Sequence, residues 1–380
     1  MRATQAVWTS HGGWSRLADE DDGQADLVLA FGSSKAFADA TQFQALRQRH
    51  PGAIVMGCST GGEIYGCEVM DECLAATAMR FDHTMLAAAE ASVEAEGGSF
   101  AVGQALGKKL VRPNLKALFM LSDGTKVNGS ELVSGLRSVI GADVVLTGGL
   151  AGDGADFGTT YVGLNGRPEP GKVAAIGFYG DGLLIGHGSC GGWDVFGPER
   201  HITKSQANVL YELDGMPALD LYKRYLGEEA AQLPGSALLF PLRVYPADRP
   251  QEALVRTIVG IDETAKTMIF AGDVPQGYCA QLMRGNLDRL IEGAATAAEQ
   301  ASIPAEGECV AILVSCIGRK LLLGQRTCEE VEAVKDVLGP KIRMTGFYSY
   351  GEVCPHRGTG AAELHNQTMT ITTLSERDLA

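Results

Sequence analysis

The chain has 380 residues, 45% hydrophobic and only 21% charged, so it lies far from disordered compositions and, at ~150 residues per domain, has room for two domains. Its 46 acidic against 32 basic side chains give a net charge of −14. With no run of five basic residues, it lacks the attraction that a nucleic-acid backbone or an anionic membrane surface requires. No stretch approaches the ~18 apolar residues of a membrane span, the first residues lack a secretory apolar centre, and nine irregularly spaced cysteines fit reduced thiols. A cytoplasmic protein without nucleic-acid or membrane partners is expected.

The 49 glycines, about twice the usual share, predict many tight turns, and in chain order these turns recur in one pattern. The first stretch runs from Leu27 to Phe81: the apolar strand LVLAF, a helix over 41–50, a strand from Ala53, the turn GCSTGGE from Gly57 and the strand LAATAMRF. The second runs from Ala117 to Phe178, with strand ALFML, a helix over 130–140, strand VVLT, the turn GGLAGD from Gly148 and strand VAAIGF. Its helix is read from Leu132, Val133, Leu136, Val139 and Ile140, which fall on one face. A connecting region follows, with helix expected over 210–227, then a strand, a loop and a hairpin from Pro241 to Val274, and a long helix over 280–301. The third copy runs from Ala311 to Thr372, with strand AILVS, a helix over 329–338, strand IRMT, the turn GFYSYGE from Gly346 and strand ELHNQTMTIT. Met268 to Gly277, with Asp273, is a partial fourth echo.

A strand, helix, strand unit in one sheet is parallel and right-handed, and a hairpin after each unit makes the sheet mixed. The expected fold class is therefore α/β with mixed sheets built from repeated strand-helix-strand-hairpin units, divided near 226–235 into domains 26–226 and 227–376. Each glycine turn presents an acidic residue: Glu63, Asp153 and Glu352.

Several local matches dissolve on inspection. Gly57-Cys-Ser59-Thr-Gly61 fits the G-x-S-x-G nucleophile elbow, but no helix is expected after it, and the turns at Gly148 and Gly346 carry no serine at that offset. Gly166 to Lys172 mimics a phosphate loop, yet two prolines remove amides that would hold phosphate, and Val173 replaces the metal-binding hydroxyl. No C-x-x-C pair supports zinc. Among seven histidines, His11, His50, His83, His201 and His356 sit in tails, turns or helix ends. His187 stands apart because Gly186 and Gly188 bracket it and would let a flat ligand approach the backbone. His365 opens a polar strand beside Asn366 and Gln367. An axial haem ligand is a neutral imidazole facing an apolar pocket, and His187 and His365 are the candidate iron ligands, with Gly186 and Gly188 beside the cofactor.

In order, GCSTGGEI, LTGGLAGDGADF, GGWDVFGPERHIT, NVLYELDGMPALDLYKRYLG, FPLRV, LVRTIVGID, FAGDVPQG, SCIGR, GFYSYGEV and LHNQT resemble the FIST family of bacterial sensory domains, over about Asp26 to Glu376. That family divides into an N-terminal and a C-terminal FIST domain, which implies two intimately packed domains. GGWDVFGPERHIT and ELHNQTMTIT are most similar to its nitric oxide sensing branch, NosP. That resemblance implies a cytoplasmic, non-enzymatic haem b protein that binds nitric oxide and regulates a partner histidine kinase or a cyclic-di-GMP synthase or phosphodiesterase. Cys354-Pro355-His356 departs from the expected pattern. Other members imply the alternative: a haem-free module for an amino acid, in which Glu63, Asp153 and Glu352 pair with the ligand amine.

Overall fold

The computed structural model describes residues 1–15, 24–304 and 307–377. Each repeat is organised around a lead strand: Leu27–Gly32, Leu115–Ser122 and Val310–Cys316. These are the continuous apolar runs of the sequence, and both faces of their sheets are covered, which is why the runs do not alternate with polar residues. A helix then crosses over, Thr41–Arg49, Gly129–Arg137 or Thr327–Leu338. The chain returns as a parallel neighbour, Ile54–Ser59, Val145–Leu150 or Arg343–Ser349.

The last strand of each repeat, Cys73–Arg80, Lys172–Tyr179 or Met369–Glu376, lies antiparallel on the other side of the lead strand. Each sheet is thus mixed, as the strand pattern predicts, although the final strand skips its sequence neighbour instead of forming a hairpin with it. Beyond it lies an outer strand, Arg2–Thr9, Met85–Ser92 or Leu183–Cys190. The first residues of the chain are therefore part of the first sheet.

The segment after each glycine turn does not stay with its own repeat. Glu63–Tyr65 pairs with Arg343–Ser349 of the third, Val162–Leu164 with Ile54–Ser59 of the first, and Gly351–Pro355 with Val145–Leu150 of the second. Turn hydrogen bonds follow the same rotation: Gly61 N–H donates to Tyr348 O (2.8 Å), Gly152 N–H to Ser59 O (2.9 Å) and Tyr350 N–H to Leu150 O (3.2 Å). The three sheets are interlocked in a pseudo-threefold cycle, and their inward side chains share one core, with Leu29, Phe119 and Ile312 contributed by the three lead strands. Phe31 and Phe347 stack there across repeats at 4.7 Å.

The glycine at the start of each turn has one packing reason. Gly57, Gly148 and Gly346 lie opposite Ala30, Met120 and Leu313 in the three parallel pairs. A Cβ at any of them would overlap the carbonyl oxygen of that partner. Recurrence in sequence thus reflects recurrence of a close backbone approach.

Between the outer strand of the third repeat and its lead strand, residues 193–285 form a separate nine-stranded sheet with its own core, including Ile202, Leu210, Tyr222, Leu242 and Phe270. Here two sequence expectations are corrected. The helix expected over 210–227 begins only at Ala218, because Val209–Leu213 is a strand turned by Asp214 and Gly215, both at positive φ (52° and 75°). That is the two-residue Asp-Gly hairpin signal, with Leu213 opposite Met216. The helix expected from Ala280 begins at Leu287, since Cys279–Gly285 is an interior strand of the sheet and Asn286 caps the helix by accepting from Asp288 and Arg289 N–H. Leu226 packs into this sheet's core. No described helix is long and apolar enough to cross a membrane.

Candidate functional site

The inserted sheet leans on the carboxyl ends of the parallel strands of the second and third repeats, the side of an open α/β sheet where ligands generally bind. A half-open cleft of about 430 Å³ lies between them. Its floor comes from the ends of repeat strands (Leu150, Cys316, Tyr350), one wall from the loop 124–128, and the other from Thr257, Val259, Ile269 and Phe270 of the inserted sheet.

Buried hydrogen bonds fix these walls. Asp123 ends the second lead strand, fully buried. Its Oδ1 accepts from Thr125 N–H (2.8 Å) and Lys126 N–H (2.6 Å), and its Oδ2 from Gly171 N–H (2.9 Å). The loop carrying Lys126 is thereby held in one conformation. Asn128 caps helix Gly129–Arg137 through Ser130 and Glu131 N–H, and donates from Nδ2 to Asp273 of the inserted sheet at 3.0 Å. Arg256 adds a second tie, from Nη1 to Leu364 O at 3.0 Å. At the far rim, Phe157 is held in the left-handed region (φ 49°) with its ring stacked on Tyr350 at 4.7 Å. Thr257 is 4% exposed, lines the cleft, and its hydroxyl has no partner among the described residues. A buried hydroxyl without a partner costs free energy until a ligand or water meets it.

Asp153 stands next to the cleft, but its carboxylate is occupied: Tyr350 OH donates to one oxygen, and Gly158 and Thr159 N–H donate to the other at 2.8 Å each. It shapes the loop that carries Phe157. Burial and this carboxylate push the Tyr350 phenol well above its ordinary range. Glu63 and Glu352 occupy equivalent places in the first and third repeats, six residues beyond the conserved-geometry glycines Gly57 and Gly346, and both are buried. Glu63 accepts from Thr60 Oγ1 (2.5 Å) and Cys73 Sγ (3.2 Å), and burial raises it to about 7. Glu352 accepts from Ser349 Oγ (2.8 Å), Thr368 N–H (3.1 Å) and Thr368 Oγ1 (2.9 Å), and burial raises it to about 8. The structure places none of the three acids among the cleft-lining residues. Ser59 is buried, and its hydroxyl accepts from Tyr161 N–H.

The two histidines do not meet. His187 lies half-buried on the outer strand Leu183–Cys190, opposite Thr372. The flanking glycines serve a different neighbour from the flat ligand expected there: a Cβ at Gly188 or Gly186 would overlap the Ala297 or Ala301 carbonyl of helix Leu287–Ala301. His365 is buried in the second sheet, opposite Glu352. Its Nε2 is 3.0 Å from Cys354 O, and burial lowers it to about 4, so the ring is neutral and donates from Nε2. Neither His187 nor His365 lines the cleft, two further cavities beside the inserted sheet, or the one between 302–309 and 337–342. As arranged, these residues do not form a haem pocket, since the Nε2 of His365 is engaged and neither ring lines any of these cavities. Among the described residues no three His, Cys, Asp or Glu side chains gather as a metal site.

Sequence reasoning missed Lys126, Phe157 and Thr257. The first lies in SDGTK, directly after a lead strand, where the strand-end rule points; Thr257 carried no local signal, because the inserted sheet alone brings it to the cleft.

A family model described as FIST N domain matches residues 26–216, and one described as FIST C domain matches residues 218–355. No curated protein matches the chain. Among solved structures, the chain is similar to a cyanuric acid hydrolase from A. caulinodans at 12% identity, covering 78% of this chain and 100% of that one, with a TM-score of 0.18. A likeness of that size carries no argument about fold or chemistry.

Proposed function

The chain belongs to the FIST family of signal-transduction sensory domains that bind small ligands, and from that premise we propose that its ligand binds in the cleft between the interlocked repeats and the inserted sheet. The observation that carries this reading is the unpartnered Thr257 hydroxyl, buried in the wall of a cleft of about 430 Å³, a size within the ~300–1,000 Å³ of small-molecule sites. The ligand bridges two bodies joined through Asn128–Asp273 and Arg256–Leu364. Binding there changes how the inserted sheet sits on the repeats, and a partner signalling protein reads the difference. A hundredfold change in partner affinity needs only about 2.7 kcal/mol of differential contact.

The test is a thermal-shift screen of small metabolites on the parent and on Thr257→Val. Compounds that stabilise the parent and lose that effect in the variant support the cleft. Hits indifferent to the substitution refute it.

The narrower alternative is a cytoplasmic haem b sensor of nitric oxide acting on a histidine kinase or cyclic-di-GMP enzyme. One observation favours it: His365 is kept neutral, the state in which imidazole ligates iron. It requires His365 to release the Cys354 carbonyl. Its test is the absorption spectrum after expression with ample haem, where a Soret band shifted by nitric oxide and lost in His365→Ala or His187→Ala supports it, and a colourless protein that takes up no haemin refutes it. A non-enzymatic role, whose output passes entirely through a partner, is part of both readings.

A further inference from the structure

Building on the cleft as the sensory site, we propose that its ligand is a small, flat carboxylic acid that carries no ammonium group. Lys126 is the one charged residue among the described residues lining the cleft. Its backbone is pinned by Asp123, and its ammonium has no hydrogen-bond or ion-pair partner among the described residues. In a chain of net charge −14, this is a local positive spot that draws anions to the cleft mouth. Asn128, on the same wall, is held in place as the cap of helix Gly129–Arg137. Thr257, on the opposite wall, carries a buried hydroxyl without a partner among the described residues.

No carboxylate lines the cleft. Asp123 and Asp153 spend their oxygens on Thr125, Lys126 and Gly171 N–H and on Tyr350, Gly158 and Thr159, and Asp273 accepts from Asn128. A ligand ammonium would be desolvated without a counter-charge, which is strongly unfavourable. Much of the remaining lining is apolar, with Leu150, Val259 and Ile317, and its polar side chains Thr125 and Asn208 are uncharged. Phe157, 43% exposed although its inner face stacks on Tyr350, offers its free face to a planar group.

The test compares 3-phenylpropionate and phenylacetate with L-phenylalanine and 2-phenylethylamine by titration calorimetry on the parent, Lys126→Met, Lys126→Arg and Thr257→Val. The expected result is that an acid binds at least on the order of tenfold more tightly than phenylalanine. The amine does not bind, Lys126→Met loses that preference, and Lys126→Arg restores it. Phenylalanine binding as tightly as 3-phenylpropionate, yet lost in Thr257→Val, overturns the proposal and leaves the cleft as the sensory site. Binding indifferent to both Lys126→Met and Thr257→Val overturns the proposal together with the cleft. Failure of both acids to bind also overturns the proposal.

Discussion

Replacing Gly148 by alanine tests whether the recurring glycine is there for a backbone approach or merely for a flexible turn. In the second sheet Gly148 faces Met120 across a parallel pair, at φ 139°, and an added Cβ overlaps the Met120 carbonyl oxygen. That oxygen belongs to a central strand with neighbours on both sides, so it cannot rotate away as a flexible side chain would. Overpacking of this kind costs about 1–3 kcal/mol, and holding alanine at that φ adds ~1–3 kcal/mol. The sum is a large fraction of the ~5–15 kcal/mol that stabilises an ordinary domain. A fall in Tm on the order of 10 °C is expected. The assay is thermal and urea unfolding of Gly148→Ala beside Gly52→Ala, where nothing lies within 4 Å of the added methyl and a change of ~0.5 kcal/mol or less is expected. Gly57→Ala and Gly346→Ala should resemble Gly148→Ala, because their Cβ atoms meet the equivalent carbonyls of Ala30 and Leu313. If Gly148→Ala unfolds together with Gly52→Ala, the close-approach argument is wrong.

Other consequences follow from buried charge. Glu63 and Glu352 hold protons more tightly folded than unfolded, at about 7 and about 8 against 4.5. The contribution of each is thus full below about pH 4.5 and is lost as pH rises through 7 to 8, by up to a few kcal/mol per group, at roughly 1.4 kcal/mol for each unit of pKa. The Glu63→Gln/Glu352→Gln chain should show a flatter decline of Tm between pH 5 and 8.5, and an unchanged slope would sink the idea. His365 runs the other way: lowered from 6.5 to about 4, it makes the fold lose stability as pH falls from about 6.5 towards 4. His365→Gln should reduce that acid-side loss in urea titrations, and an identical loss would count against the buried neutral ring. Arg319→Met leaves the Glu330 carboxylate, fully buried and otherwise held by Ser315 and Tyr348, without its cation. A loss of about 3–5 kcal/mol is expected in urea unfolding, and an unshifted midpoint would contradict it.

Repetition was legible because the same physical problem is solved three times in one chain. LVLAF, ALFML and AILVS are central strands, so they must be apolar throughout. The glycines after IVM, VLT and RMT are where two backbones touch, so no other residue fits. Helix faces such as Leu132, Val133 and Leu136 show themselves by spacing, and the FIST resemblance rests on these turns. The inserted sheet was less legible. Its short strands do not carry long apolar runs, and YELDG and CAQLMRG have helix-compatible composition, so only the Asp214-Gly215 turn and the Asn286 cap marked the true boundaries.

What the sequence determined by itself is the set of local units: strands, crossover helices, glycine turns and their acids. Partnership was decided by the tertiary structure, because hydrogen bonding between strands depends on which edges are left open after each repeat forms. Glu63–Tyr65, Val162–Leu164 and Gly351–Pro355 all leave their own sheets to close the next one in the cycle. The same closure buries Glu63 and Glu352 behind the turns, outside the lining of the cleft. It also sets Gly186 and Gly188 against a helix and brings Lys126, Phe157 and Thr257, far apart in sequence, to one cleft.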